Sequence, residues 1–355
     1  MSLSRRVLLT VAAGAALARP ARAQPADAAI ARLNELGVRA QNNQPVTAGT
    51  IGTVQGYRLP QDRQRVITDD DLALFQLLPR LSNMTLTGAA NLSAAGMAHL
   101  ARIPTLFALT LTSTAIGDAG VEALVSAPIL QLLSLDGVRN VTDAAAPHLA
   151  RMARLGNLTL NSTAVTDAGL DALKGSRTLT DLYLGSLRGV TDAGCAHLGT
   201  IRTLRVLGLE GTQVTGDGFA PIGALPELRQ LGLMNAPVTD AGYAHLAGAQ
   251  KLASLFAWRT RMTDAGLAAV ARIGTLEVVY LDNNAITDAG LAHLAGHGKL
   301  RWVWLTSTQV TDDGMRHLIR LPLQNVMIGS TRVGDAGLAT LAAIPSVTAI
   351  NARQS

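Results

Sequence analysis

The sequence predicts an α/β solenoid, a horseshoe-like stack with a parallel β-sheet on its concave face and short helices on its convex face. Three observations predict it. From residue 67 the chain repeats every 23 to 25 residues, in twelve units beginning at Ile67, Leu92, Ile116 and so on to Val333. Each unit holds an L-x-L run, such as Leu207-Gly208-Leu209, whose period of two makes a short strand with its leucines turned inward. Each also holds a segment like TDAGLDAL (166–173), which has helical spacing. One strand and one helix cannot bury their apolar faces alone, so the units must stack around a shared core.

Within the helical segment, Thr166 and its equivalents are placed to cap the helix, and Asp167 complements the dipole of the first turn. The recurrent Asp118, Asp143, Asp167, Asp192, Asp240, Asp264, Asp288 and Asp312 each stand alone in their turn, which favours helix-start stabilisation over calcium binding. A glycine recurs two residues after these positions, as in Gly169, Gly194 and Gly290. Glycine inside a helix costs about 1 kcal/mol relative to alanine, so its recurrence implies close approach of a neighbour.

Leu204, Leu207, Leu209, Thr212 and Val214 spell L-x-x-L-x-L followed by T-x-V, and the pattern returns in every unit. It resembles the leucine-rich repeat family, in the variant whose convex segment reads ITDAGL, and is similar to the cysteine-containing subtype. The resemblance covers about 290 residues. It speaks for the fold far more than for any one function. The resemblance implies a buried hydrogen-bonding residue behind the sheet, usually Asn or Cys. Here that position holds Thr114, Thr163, Thr212, Thr260, Thr308 and Thr331, with Asn284 the exception.

The first 23 residues pair Arg5 with Arg6, continue as a short apolar run and end in Ala21-Arg22-Ala23. They are expected to be a twin-arginine-like export signal cleaved near Ala23, leaving a periplasmic or secreted protein. The run is too short to span a bilayer. Without the four arginines of that segment, 26 basic residues face 25 acidic ones, so no charge excess points to nucleic acid. Cys195, the only cysteine, stands at a leucine position of its unit and is expected in the core.

Residues 24–66 are expected to cap the N-terminal end, with an amphipathic helix over 29–37, a polar flexible loop, and a strand directing Val54, Tyr57 and Leu59 inward. Residues 67–355 hold the twelve repeats, and VTAIN (347–351) is the last strand, with no capping element after it.

His99, His148, His197, His245, His293 and His317 share one repeat position, but up to His293 they fall in alternate units. Helices pack about 8–10 Å apart, so alternate histidines lie too far apart to share a metal. His293, His297 and His317 are expected on a solvated convex face. No nucleophile elbow, phosphate loop or zinc spacing is present, so the chain is expected to be non-catalytic, with no metal or cofactor.

The residue between the last two strand leucines faces the concave side. Along the solenoid this column begins Thr85, Thr110, Ser134, Thr159 and continues to Phe256, Tyr280, Trp304 and Met327. Trp302 and Trp258 share that face, two positions before and after the column, and Arg259, Asp282 and Asn283 are expected at the border. The aromatics are expected on this face and absent from the core. Exposed aromatic clusters of this size mark interaction sites. The expected partner is a protein or peptide. The alternatives are an envelope glycan, peptidoglycan included, and self-association through the patch or the last strand. A second, shallower groove is expected over Gly208 and Gly232, flanked by Tyr183, Glu210 and Met234.

Overall fold

Thirteen three-residue strands run parallel, each beside its sequence neighbours, from β1 (Gly56–Arg58) to β13 (Ala349–Asn351). The computed structural model describes residues 25–353. The export signal expected over 1–23 lies outside the described residues. The L-x-L pattern explains the strands: their central residues, such as Leu207, Leu255 and Val303, are fully buried, while the flanking ones look outward. Short helices return behind the sheet and bury the leucines of their T-D-A-G-L-x-x-L segments, Leu170 and Leu173 among them.

The recurrent aspartates do more than start their own helices. Thr191 opens the helix Asp192–Leu198, and its hydroxyl accepts from the Ala193 N–H. The same threonine donates backbone N–H to Asp167 Oδ1 at 2.9 Å and hydroxyl to Asp167 Oδ2 at 2.6 Å, so Asp167 staples its unit to the next. The staple recurs between Asp118 and Thr142, Asp143 and Thr166, Asp240 and Thr263, Asp264 and Thr287, and Asp288 and Thr311. It also explains the glycines. A Cβ on Gly194, Gly266, Gly290 or Gly314 would overlap Oδ1 of the aspartate one unit earlier.

Behind the sheet, the threonines bond within their own unit: Thr212 Oγ1 donates to Leu209 O at 2.7 Å and Thr308 Oγ1 to Leu305 O at 2.6 Å. The longer Asn284 also links two units: its Nδ2–H donates back to Ala257 O at 2.7 Å as well as to Leu281 O of its own unit at 3.1 Å, and its Oδ1 accepts from the Thr260 hydroxyl at 3.0 Å.

At the N-terminal end, helix α1 (Pro25–Glu35) packs Leu33, with the adjoining Leu36, into the core. The following segment is not a flexible loop. Two 3-10 turns, Gln41–Asn43 and Ile51–Thr53, shape it, and the Asn34 side chain clasps both backbone groups of Val46 at 2.7 and 2.8 Å. Arg32 grips both carboxylate oxygens of Asp71, at 2.7 and 2.9 Å, tying α1 to the first repeat. At the other end β13 pairs, among the described residues, with the strand Asn325–Met327 alone.

Two expectations about side chains fail. Phe75, Phe219 and Tyr243 are core residues, as Tyr57 was expected to be, so aromatics are not absent from the interior. They fill places where a leucine or a cap residue would otherwise pack, and the Tyr57 ring meets Phe75 at a tilt of 51°, with centroids 4.7 Å apart. His297 is not on a solvated face: it is 6% exposed, with Nε2 2.9 Å from Ile273 O and no partner for Nδ1 among the described residues. Burial pulls its pKa below the ordinary 6.5. A histidine held neutral by the fold contributes stability above its unfolded pKa and loses it as pH falls through and below that value. The urea midpoint is therefore expected to drop between pH 7 and pH 5.5 (about half a unit above and one unit below the ordinary histidine value), and to drop less in His297→Gln. Cys195 is fully buried, and burial pushes its thiol up to about 12, leaving it inert as a nucleophile at neutral pH.

Candidate binding site

Parallel register places one residue per unit in a row across the concave face, from Arg58 and Thr85 to Gly232, Phe256, Tyr280, Trp304, Met327 and Asn351. Phe256, Tyr280 and Trp304 end the strands β9 (Ser254–Phe256), β10 (Val278–Tyr280) and β11 (Trp302–Trp304). Phe256 meets Tyr280 edge-on, with centroids 4.7 Å apart and planes at 83°. Tyr280 and Trp304 lie flat on each other, 3.7 Å apart at 6°. The strand spacing sets this geometry, because neighbouring rungs stand about 4.8 Å apart.

Beside the stack, the turns after β8 (Gln230–Gly232) and the three strands β9 to β11 enclose a hollow of about 470 Å³. Trp258, Arg259, Asp282, Trp304 and Met327 line it, as do Asn235, Asn283, Thr306 and Asn351. Of the predicted patch, Phe256, Tyr280 and Trp302 stay outside this hollow. The first two form the adjoining stack, and Trp302, 38% exposed, stands apart on the other side of the column.

Two residues here depart from what the fold needs. Asp282 was expected at the border, but it is only 5% exposed. Its Oδ1 accepts from the Thr306 N–H at 2.9 Å, while Oδ2 is buried with no partner among the described residues. Burial raises the carboxyl above the ordinary aspartate range. Asn161, in the same row of the solenoid, accepts from the Gly185 N–H at 2.6 Å with its amide oxygen. An amide thus serves the backbone role, and the charge of Asp282 is surplus to it.

Arg259 is the second. The residue following each outward turn takes left-handed backbone: Ser113, Ser162, Ser186, Asn235, Asn283, Ser307 and Ser330 do so, with Arg259 at φ 49°. The turn imposes this conformation along the solenoid, on serine and asparagine as well as on Gly88, Gly137 and Gly211, so what sets Arg259 apart is its side chain, the one long one in the series.

The repeat and the register now meet independent comparison. A family model described as "Leucine Rich repeat" matches residues 103–125, a stretch one repeat long that runs from the second unit into the third. A solved internalin, inlF from Listeria monocytogenes str. 4b F2365, superposes with a TM-score of 0.59, covering 92% of this chain and 94% of its own at 18% identity. This chain is a leucine-rich repeat protein. A second solved structure, the TLR13–ssRNA13 complex, gives a TM-score of 0.59 at 17% identity over 78% of this chain and 40% of that one. At such identities the likeness speaks for the fold alone. No curated protein sequence matches this one.

The second groove expected on this leucine-rich repeat sheet is not open. Gly208 and Gly232 are both buried, and the Glu210 carboxyl folds over them. A Cβ at Gly232 would overlap Glu210 Oε1, and one at Gly208 would sit 2.7 Å from Glu210 Oε2 and 3.1 Å from the Tyr183 ring. The glycines make room for a carboxyl of this chain and leave none for a ligand. Burial raises that carboxyl above the ordinary glutamate range. Met234, two positions beyond Gly232 in the chain, is half-buried.

Sequence reasoning missed Asn235, Thr306 and Asn351 as lining residues and misjudged the depth of Asp282. Among the described residues no three of His, Cys, Asp and Glu converge as a metal set, and no helix is long and apolar enough to cross a membrane.

Proposed function

We propose that this leucine-rich repeat protein is an exported, non-catalytic binding protein that recognises a protein or peptide through its aromatic concave patch. The observation that carries this reading is the file of three rings on the outward face of the sheet, flanking an open hollow, where earlier rungs of the same column carry threonine and serine. Cross-strand stacking is worth only about 0.2–1 kcal/mol per pair. It gives no account of Trp258, Arg259 or Asp282, which are not ring partners in the stack. The arginine pair and small-x-small end of residues 1–23 support export to the periplasm or beyond. The TLR13 complex holds RNA on a solenoid of this fold, but here the buried unpaired group is a carboxylate, which repels phosphate.

The test swaps Phe256→Ser, Tyr280→Thr and Trp304→Thr together, which extends the column of the first rungs into the last. The variant and the parent are panned against a random peptide library. The expected result is a set of peptides that bind the parent and lose binding to the swapped protein while its circular dichroism is unchanged. Peptides that bind both equally would remove the patch from consideration. If the retained ligands were glycans and Trp304→Phe alone abolished their binding, a sugar would take the peptide's place.

A further inference from the structure

Asp282 presents a buried carboxylate oxygen without a partner in a hollow whose walls include two indoles, Trp258 and Trp304. Among the described residues Asp282 takes part in no ion pair, although Arg259 lines the same hollow. We infer that the hollow seats one basic side chain, lysine or arginine, of a partner peptide, with its charge on Asp282 Oδ2 and its stem between Trp258 and Trp304. This rests on the peptide-binding reading above and narrows it to one residue class.

The backbone bond to Thr306 needs only an acceptor, which Asn161 supplies elsewhere as a neutral amide, so the negative charge answers to something outside the chain. A neutral hydroxyl or amide from a ligand would be satisfied by the amide version, whereas a cation gains from the charge and from the ring faces together. Arg259, exposed at the rim, repels a second positive charge. The seat therefore suits a single basic residue flanked by neutral or acidic ones and disfavours a polybasic run. Trp304 Nε1 is also buried without a partner, and neither it nor Asp282 Oδ2 reaches solvent. A cation seated between Trp258 and Trp304 changes the surroundings of both indoles, and their N–H signals report it.

The experiment uses the 15N-labelled protein, whose three indole N–H resonances are assigned with Trp258→Phe, Trp302→Phe and Trp304→Phe. It is titrated with N-acetyl-lysine methylamide, with the uncharged norleucine analogue, and with methyl N-acetylglucosaminide. The expected result is movement of the Trp258 and Trp304 signals with the lysine probe and not with the others. Asp282→Asn should weaken that response about tenfold or more, and Arg259→Asn, which removes the repelling charge at the rim, should tighten it. The inference is overturned by an equal response to norleucine, by a response to the sugar alone, by an unaffected Asp282→Asn, or by silence to all three probes. Loss of lysine binding in Arg259→Asn would overturn it too, because the site would then be reading an anion. If library peptides still require the three rings while Asp282→Asn binds them normally, the cation seat fails and the patch reading survives.

Discussion

Gly290→Ala is expected to destabilise the protein by about 1–3 kcal/mol, although alanine in place of a helical glycine ordinarily gains about 1 kcal/mol. The reversal comes from the neighbouring unit. A Cβ at Gly290 would overlap Asp264 Oδ1, the oxygen that accepts from the Thr287 N–H at 2.8 Å. The carboxylate must then leave the Thr287 hydroxyl, 2.6 Å from Oδ2, or the helix Asp288–Ala292 must shift. A double-mutant cycle separates this from simple crowding. In an Asp264→Ala background the obstructing oxygen is gone, and Gly290→Ala should become neutral or stabilising, the remaining neighbour being Ile286 Cγ2 at 3.2 Å. Urea unfolding of the four proteins measures the coupling. An equal cost of Gly290→Ala in both backgrounds would show that the glycine answers to something other than the staple.

The second large effect has the opposite sign. Asp282→Asn is expected to stabilise the protein at neutral pH by about 1 kcal/mol, the order of relieving one unsatisfied buried group. The amide oxygen keeps the bond from the Thr306 N–H, as Asn161 keeps its bond from Gly185, and the unpaired charge disappears. The sign follows from linkage. A carboxyl whose folded pKa is raised favours folding relatively more below its unfolded pKa, and that contribution is lost as pH rises through the folded value. The gain from Asp282→Asn should therefore be seen at pH 7 and shrink toward pH 3.5 (just below the ordinary aspartate value). Thermal melts at the two pH values test it. A lower melting temperature for Asp282→Asn at pH 7 would mean that the charge has a partner inside the chain. Sites that cost stability while a neutral residue would serve the fold are where function is paid for.

The concave column was legible in the sequence because it rests on the simplest rule available. A period of two decides which residues face outward, and a repeat of about 24 residues aligns them, so Phe256, Tyr280 and Trp304 fall in one row. The staple was legible only in part. Asp and Gly recur visibly, but the aspartate's partner lies 23 or 24 residues away, and helix-start stabilisation accounts for an aspartate there without it. The depth of Asp282 was hidden, since its position alternates with other outward residues and nothing local in the sequence marks the carboxyl as buried. The fold of Glu210 over Gly208 and Gly232 was hidden for a related reason. A glycine pair reads as empty space until a flexible neighbour is seen to fill it. Tyr243 and Phe219 were misplaced because an aromatic at a leucine position carries no local mark of being core.

The central claim is that the aromatic concave surface is open and available to a partner. All three tryptophans of the chain lie on it, so acrylamide quenching of their emission reads it directly, at low and at high protein concentration. The account predicts red-shifted, readily quenched emission at both, carried chiefly by the exposed Trp302. Blue-shifted emission that resists acrylamide at both concentrations would contradict it. Protection appearing only at high concentration would assign the surface to a second copy of this chain.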